Sequence, residues 1–268
     1  YLNDTGAVSG TGQRRVTSVS STTFGLPEGA SSGGYSESNK IGNKHIAYCF
    51  HSVSGYSKIS SYTGNGSATG TVVTTGFEPA WLLIKRDADE GWQIVDSTRN
   101  PLNTVTSSLS PNSNSAERND LVDVDFTSTG FQLKGTDGSC NASGATYLYM
   151  AFAGGMDSIS TYNTTGSIDS RVKANPTYGQ SIVSFTGNAT AGATVGHGLS
   201  SAPEMYIVKS RTTGSTDWWT YHASTGATHS LRLNNTSAAY DDNTIWNDTA
   251  PTNAVFSLGN YADINKSG

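Results

Sequence analysis

"SSYTGNGSATGTVVTTGFEPAWLLIKR", residues Ser60 to Arg86, returns in altered form as "VSFTGNATAGATVGHGLSSAPEMYIVKSR", residues Val183 to Arg211. Both stretches run aromatic-Thr-Gly-Asn, then a glycine-rich turn, a proline, an apolar run and a lysine. A repeat of this kind decides the fold before any motif does, because one structural unit then accounts for most of the chain. Further matches extend it. "GWQIVDST" (Gly91 to Thr98) corresponds to "DWWTYHAS" (Asp217 to Ser224), and Phe131 to Leu133 corresponds to Phe256 to Leu258, with Phe24 to Leu26 as a third copy. "YLNDTGA" at Tyr1 to Ala7 reads like "RLNNTSA" at Arg232 to Ala238.

An Asn-x-x-Gly turn occurs three times, in "SNKIGNKHIAYCF" (Ser38 to Phe50), "CNASGATYLYMAF" (Cys140 to Phe152) and "ADINKSG" (Ala262 to Gly268). In the first two it feeds an apolar run. The chain therefore reads as the C-terminal half of a repeat over 1–55, a complete repeat over 56–155, and a second repeat over 156–268 that has an N-terminal linker and lacks its last strand. The expectation is a slice of a longer array. A strand like "HIAYCF" or "YLYMAF" is then due after Gly268, supplied by the same chain or by another subunit.

Strand signals recur within one repeat at Ser57–Tyr62, Gly70–Thr75, Ala80–Lys85, Trp92–Asp96, Leu121–Phe126, Phe131–Leu133 and Tyr147–Phe152. Short strands at this spacing, punctuated by Gly, Asn and Pro, predict an all-β fold of tandem antiparallel β-sandwich repeats, jelly-roll-like in character. "AWLLI" and its copy "MYIV" are apolar on both faces, which predicts a central, doubly buried strand. In the closing strand, alternation sets Leu148, Met150 and Phe152 on one face, matching Ile46, Tyr48 and Phe50, and that face is expected to be the core face. Gly135, Gly138 and Gly144 are expected in turns with positive φ. Met156 to Gln180 reads as a linker lying along the neighbouring domain, since Pro176 and its turn formers argue against a helix.

Composition narrows the function classes. Only 14% of the 268 residues are charged, 30 are glycine, and the net charge is −5. Nucleic-acid binding needs clustered Lys and Arg, and no basic stripe is present, so no nucleic-acid partner is expected. Apolar runs such as "AWLLI" fall far short of the ~20 residues that cross a bilayer as a helix, so no membrane partner is expected. Cys49 and Cys140 lie in different repeats, which leaves stability to packing and strand pairing.

The candidate chemistry is sparse. "GASSG" at Gly29 to Gly33 has the spacing of a hydrolase nucleophile elbow but neither the preceding strand nor the following helix, and reads as a loop. Asp123 and Asp125 share a strand face, and Asp87, Asp89 and Glu90 crowd one turn. Either group offers oxygen ligands for Ca²⁺, yet the ligand ladder of a calcium loop is absent and a charged, solvated face is the plainer reading. Five histidines show no zinc spacing, and no carboxylate pair recurs between repeats, so no cofactor, metal or catalytic residue is assigned. Aromatic rings are the better lead, because exposed rings stack on sugar faces. The candidates are Trp92, its counterpart Trp218, Trp219 and Tyr221. For Trp92, Trp218 and Trp246 core packing is the favoured reading, whereas Trp219 stands opposite the polar Gln93 and, of these rings, is the one to look for at the surface, with packing as the equal alternative.

The phrases "HIAYCFHSVSGYSKISSYTGNG", "GFEPAWLLIKR", "NASGATYLYMAFA" and "IWNDTAPTNAVFSLG" resemble a domain family of unknown function found in tandem in tail-fibre-like and other virion proteins of marine bacteriophages, especially cyanophages. The resemblance covers nearly the whole chain. It implies a phage structural protein and names no ligand. The leading reading is a non-enzymatic fibre or appendage component on the virion surface that forms homo-oligomers and joins other virion proteins, with recognition of host-surface glycans by the sandwiches as a compatible binding role. The resemblance transfers no catalytic residues. The alternatives are a depolymerase of host polysaccharide and a bacterial extracellular filament or adhesin built from the same modules.

Overall fold

In the computed structural model, residues 16–26, 47–154 and 161–268 are described. Contacts divide the chain into a smaller unit, Ala7–His51, and a larger one that contains Ser52–Gly268. The smaller unit holds a two-stranded antiparallel ribbon of β1 (Ser18–Val19) and β2 (Phe24–Gly25). The expected loop at Gly29 to Gly33 and residues His45 and Ile46 lie outside the described residues, and Ala47 to Phe50 lie outside any assigned strand.

In the larger unit, the first repeat is a seven-strand sandwich. Its strands are β3 (Ser57–Thr63), β4 (Val72–Thr74), β5 (Pro79–Arg86), β6 (Gln93–Asp96), β7 (Val124–Thr127), β8 (Gly130–Leu133) and β9 (Thr146–Ala153). One sheet has the order β3-β9-β5-β6 and the other β4-β8-β7. β9 arrives last in sequence yet sits between β3 and β5, pairing antiparallel with both. The two sheets close on Leu82, Ile84, Val95, Val124, Phe131, Leu133 and Tyr147, all without solvent exposure. Alternation explains the face: Leu82 and Ile84 point in, while Trp81 and Leu83 are half-buried on the other side.

The second repeat starts from β10 (Thr161–Asn163), β11 (Ser170–Asn175) and β12 (Gln180–Phe185), which form one antiparallel sheet. There follow β13 (Ala193–Gly196), β14 (Met205–Val208), β15 (Trp219–His222), β16 (His229–Arg232), β17 (Tyr240–Asp241), α1 (Asn243–Trp246), β18 (Val255–Leu258) and α2 (Ala262–Asn265). β14-β15-β16-β17 make a four-stranded sheet, and β13 pairs β18 as β4 pairs β8. Asp242 caps α1 by accepting from the Thr244 N–H, and this single turn drops Ile245 and Trp246 fully into the core.

Several expectations change here. Of the stretch read as a linker, Met156 to Ser160 lie outside the described residues, and from Thr161 on β10 and β11 extend the sheet beside β12. It does pack on the first repeat, with Tyr178 stacked on Tyr56 at 3.9 Å and the Lys173 ammonium donating to Ser97 Oγ at 3.2 Å. "MYIV" is not central: β14 ends its sheet, and Ile207 is 41% exposed. The core face of β9 is the opposite one, formed by Tyr147, Tyr149 and Ala151, while Leu148 is 45% exposed. A strand apolar on both faces gives alternation nothing to choose by. The hydroxyls decide, since Tyr147 Oη donates to Gly138 O and accepts from the Ala142 N–H at the rim of the core. Of the three glycines, Gly144 has positive φ (74°); Gly135 and Gly138 do not.

The two copies share one backbone device at higher precision than their sequences suggest. Gly66 takes φ 66°, and Ala189, which stands in its place, takes φ 57° although it carries a side chain.

Candidate functional site: the aromatic rings and the junction between repeats

The four candidate rings do not assemble into one surface. Trp219 is 1% exposed, not open to solvent as its partner Gln93 implied, because Gln93 is itself buried at 2% and accepts from Ser110 Oγ. Polarity at that position marks an interior hydrogen bond, not a wet face. Trp219 donates from Nε1 to Asp263 Oδ2 at 3.1 Å, meets Tyr261 edge-on, and carries the Arg232 guanidinium over its ring at 4.6 Å. Tyr221 is buried and stacked on Tyr206 at 4.7 Å. Trp92 alone is half-buried.

Trp218 has a different task. Its indole N–H donates to Ser110 O and Ser113 O of the first repeat, at 3.2 and 2.9 Å, while its backbone N–H donates to Asn234 Oδ1. The Trp92 N–H donates to Asn112 Oδ1 in the same manner, so the Asn-Trp clamp is duplicated. Beside Trp218, Arg211 grips Glu117 through two parallel bonds of 2.9 Å, and the Glu117 N–H donates to Arg211 O. Glu117 also receives Arg99 Nη1 at 2.8 Å, and Arg99 is held by Asp96 at 2.6 Å. Burial works to raise the Glu117 carboxyl, but the bonds from Arg211 and Arg99 outweigh it and hold the carboxyl below its usual range. The result is a locked joint between the repeats.

A second duplicated device is buried in each sandwich. Asn141, without exposure, accepts from the Asn65 N–H and donates to Ser67 O and Gly135 O. Asn265, equally buried, accepts from the Asn188 N–H and donates to Thr190 O and Gly259 O. The recurring Asn-x-x-Gly phrase carried this signal, although sequence reasoning took it for a turn rather than a plug. Lys85 and Lys209 likewise recur, each donating to the carbonyl that follows it.

Each acidic group has a member with a basic protein partner. Asp125 takes Thr104 Oγ1 and Lys134, and Glu90 lies 3.8 Å from Arg86. Among the described residues no cluster of His, Cys, Asp or Glu is placed to hold a metal. Both cysteines are free, and burial pushes the Cys140 thiol up to about 12, well outside the range of a nucleophile. What the two repeats hold in common is thus packing and hydrogen bonding. The family model for a domain of unknown function, DUF7483, matches residues 1–155 and again 156–268.

The chain belongs to the DUF7483 family. No curated protein and no solved structure matches it. Within this DUF7483 chain, the features that recur between the two matched stretches are the Asn plug, the Asn-Trp clamp and a lysine that donates to the next residue's carbonyl. None of them aims a titratable group into a cleft.

Proposed function

We propose that this DUF7483 chain is a non-enzymatic structural component of a bacteriophage particle, a fibre or appendage displayed on the virion surface and associating with further copies and other virion proteins. The observation that carries this reading is the joint between repeats. A tryptophan of one repeat is spent on the other's carbonyls, and a bidentate Arg-Glu pair ties the two loops. Joining modules at fixed geometry suits a load-bearing array, and a surface of uncharged polar groups tolerates changes of salt. The weight of the reading on phage rests on the sequence resemblance.

Mass spectrometry of purified particles, followed by labelling with an antibody to the chain, tests it. The expected result is a stoichiometric virion protein labelled at the periphery. Absence from particles of an infection in which the chain is expressed overturns the proposal. Release of reducing ends from host polysaccharide by the pure chain would turn the assignment toward a depolymerase. Contact with host glycans falls on Trp92, the candidate that is half-buried while Trp218, Trp219 and Tyr221 are buried: a glycan-array signal lost in Trp92→Ala supports it, and a signal that survives removes it.

A further inference from the structure

One end of the sandwich is built differently in the two repeats. The clamps and plugs set the register, with Asn234 standing for Asn112 and Asn265 for Asn141. Trp219 pairs with Arg232 where Gln93, beside the Ile94–Leu109 bridge, meets Ser110. Tyr240 pairs with Ser230 as Arg118 bridges Ser108. The Asn265 N–H donates to Tyr261 O as the Asn141 N–H donates to Asp137 O. Gln93, Ser110, Arg118 and Asp137 of the first repeat are thus replaced by Trp219, Arg232, Tyr240 and Tyr261 in the second. In the first, the polar groups satisfy one another or a near neighbour: Ser110 Oγ donates to Gln93 Oε1, and Arg118 forks onto Asp120 with the Asp137 charge also acting on it. In the second they do not. Arg232 lies 4.6 Å from the Trp219 ring centre and 5.6 Å from that of Tyr240, and Tyr261 meets Trp219 edge-on at 5.4 Å. Among the described residues no acceptor meets the Arg232 guanidinium in hydrogen-bond geometry, although Asp217 Oδ2 stands 3.2 Å from its buried Nε. The Tyr240 and Tyr261 hydroxyls, among the same residues, also have no hydrogen-bond partner.

We propose that Tyr240, Arg232 and Tyr261 form a binding site for an uncharged hexose unit of a glycan. The side chains are graded for it: Trp219 is 1% exposed and supports the guanidinium from the core, Arg232 and Tyr261 are half-buried, and Tyr240 is 48% exposed. An exposed ring offers a flat apolar face to sugar C–H groups, and half-buried donors without acceptors gain from hydroxyls that reach them. Charge decides against other ligands. Arg232 and Lys209 stand among Asp217, Asp263 and Asp242, which leaves no positive excess for a phosphate or a uronate. An ammonium ligand would compete with Arg232, which already holds the cation's place over the rings. A hexose asks for neither charge. The inference rests on the host-glycan contact of the reading above and deepens it, giving that contact a place in the second repeat, where the first has Arg118 and Asp137 instead of rings.

A glycan array that carries neutral hexose oligosaccharides beside uronate-bearing ones, probed with the full chain, tests it. The expected result is binding to neutral hexoses. Affinity for them is expected to fall about tenfold or more in Tyr240→Ala, which removes the stacking face, and in Arg232→Lys, which keeps the charge and loses the fork. Thermal melting of each variant, run beside the array, checks that it folds; Tyr240 is exposed at a sheet edge, so Tyr240→Ala is expected to melt with the unaltered chain even if Arg232→Lys does not. The proposal is overturned if no neutral hexose binds, if binding is confined to uronate-bearing glycans, or if affinity is unchanged in Tyr240→Ala. A signal lost in Trp92→Ala and kept in Tyr240→Ala overturns this site and leaves the glycan contact at Trp92. A chain found in purified particles that binds no neutral hexose overturns the site and leaves the structural reading standing.

Discussion

Among the described residues, β9 stands between β3 and β5 in the first repeat and no strand stands between β12 and β14 in the second, and the burial around the two places differs. Leu82 of β5 has no exposure with β9 and β6 flanking it, whereas its counterpart Tyr206 of β14, with β15 alone beside it, is half-buried; on the outer face Leu83 is half-buried and its counterpart Ile207 is 41% exposed. The amino-acid types barely differ between "WLLI" and "MYIV". Burial in these sandwiches is therefore set by which neighbour arrives, and only secondarily by the residues of the strand itself.

The largest effect follows from striking at that neighbour. Met150→Pro in β9 removes a ladder bond from a strand paired on both sides, and is expected to cost about 4 kcal/mol or more and to unfold the first repeat. Ile207→Pro, at the edge of the second, is expected to cost about 1–2 kcal/mol, since its N–H has no strand to bond. Urea titration of both variants reads the comparison directly. Equal losses would show that the edge of β14 is as constrained as the centre of the first sheet.

The duplicated asparagines give the next effect. Asn141→Ala and Asn265→Ala each leave a part-buried N–H and two carbonyls without their partner, at about 1–3 kcal/mol apiece. Near-equal losses are expected, because both plugs are completely buried and bond the same set of groups. A loss confined to Asn141 would mean that the plug matters only where a closing strand follows it. Denaturant unfolding of the two variants, measured side by side, makes the distinction.

How much of this was legible without coordinates depends on whether the deciding physics is local. Strand positions in the first repeat emerged closely, because turn formers and apolar alternation mark them: Trp92–Asp96 became Gln93–Asp96, and Tyr147–Phe152 became Thr146–Ala153. The core face of β9 was misread because Leu148, Met150 and Phe152 are as apolar as its inward residues, and Phe152 finds cover outside the core against Tyr56 and Trp81 at 5.5 Å each. Trp219 was misread through Gln93, whose burial depends on Ser110, a residue 17 positions away. The joint left no trace in local pattern, since Glu117 and Arg211 are 94 residues apart.

That joint supplies the third test of the comparison. Glu117→Gln removes the charge that Arg211 and Arg99 share, and is expected to cost about 1–2 kcal/mol at this half-buried site. Differential scanning calorimetry is expected to show one transition becoming two, as the two repeats unfold separately. The pH sense follows from the lowered carboxyl: its contribution is complete above the unfolded value near 4.5 and is lost as pH falls through the folded one, so the same splitting is expected in acid. A single transition in the variant would show that the repeats cooperate through other contacts.

The smallest effect separates the two recurring lysines. Lys85 is buried at 4% and donates to Arg86 O and Ala88 O, whereas Lys209 is half-buried and donates to Ser210 O and Thr216 Oγ1. Burial, partly offset by Asp263 and Asp217, brings the Lys209 ammonium down from 10.5 to about 8. Between those values the unfolded chain binds the proton that the folded chain has released, so stability rises with pH. The window is pH 8 to 10. Above it the buried hydroxyls of Tyr62 and Tyr206, raised by desolvation, act in the opposite sense because the folded state keeps their protons. Allowing for solvent at a half-buried amine, the gain is on the order of 1 kcal/mol across the window. Urea midpoints at pH 8 and pH 10 are expected to show it in the unaltered chain and not in Lys209→Met. A gain that persists in Lys209→Met would place the depressed proton elsewhere and return the two lysines to equivalence.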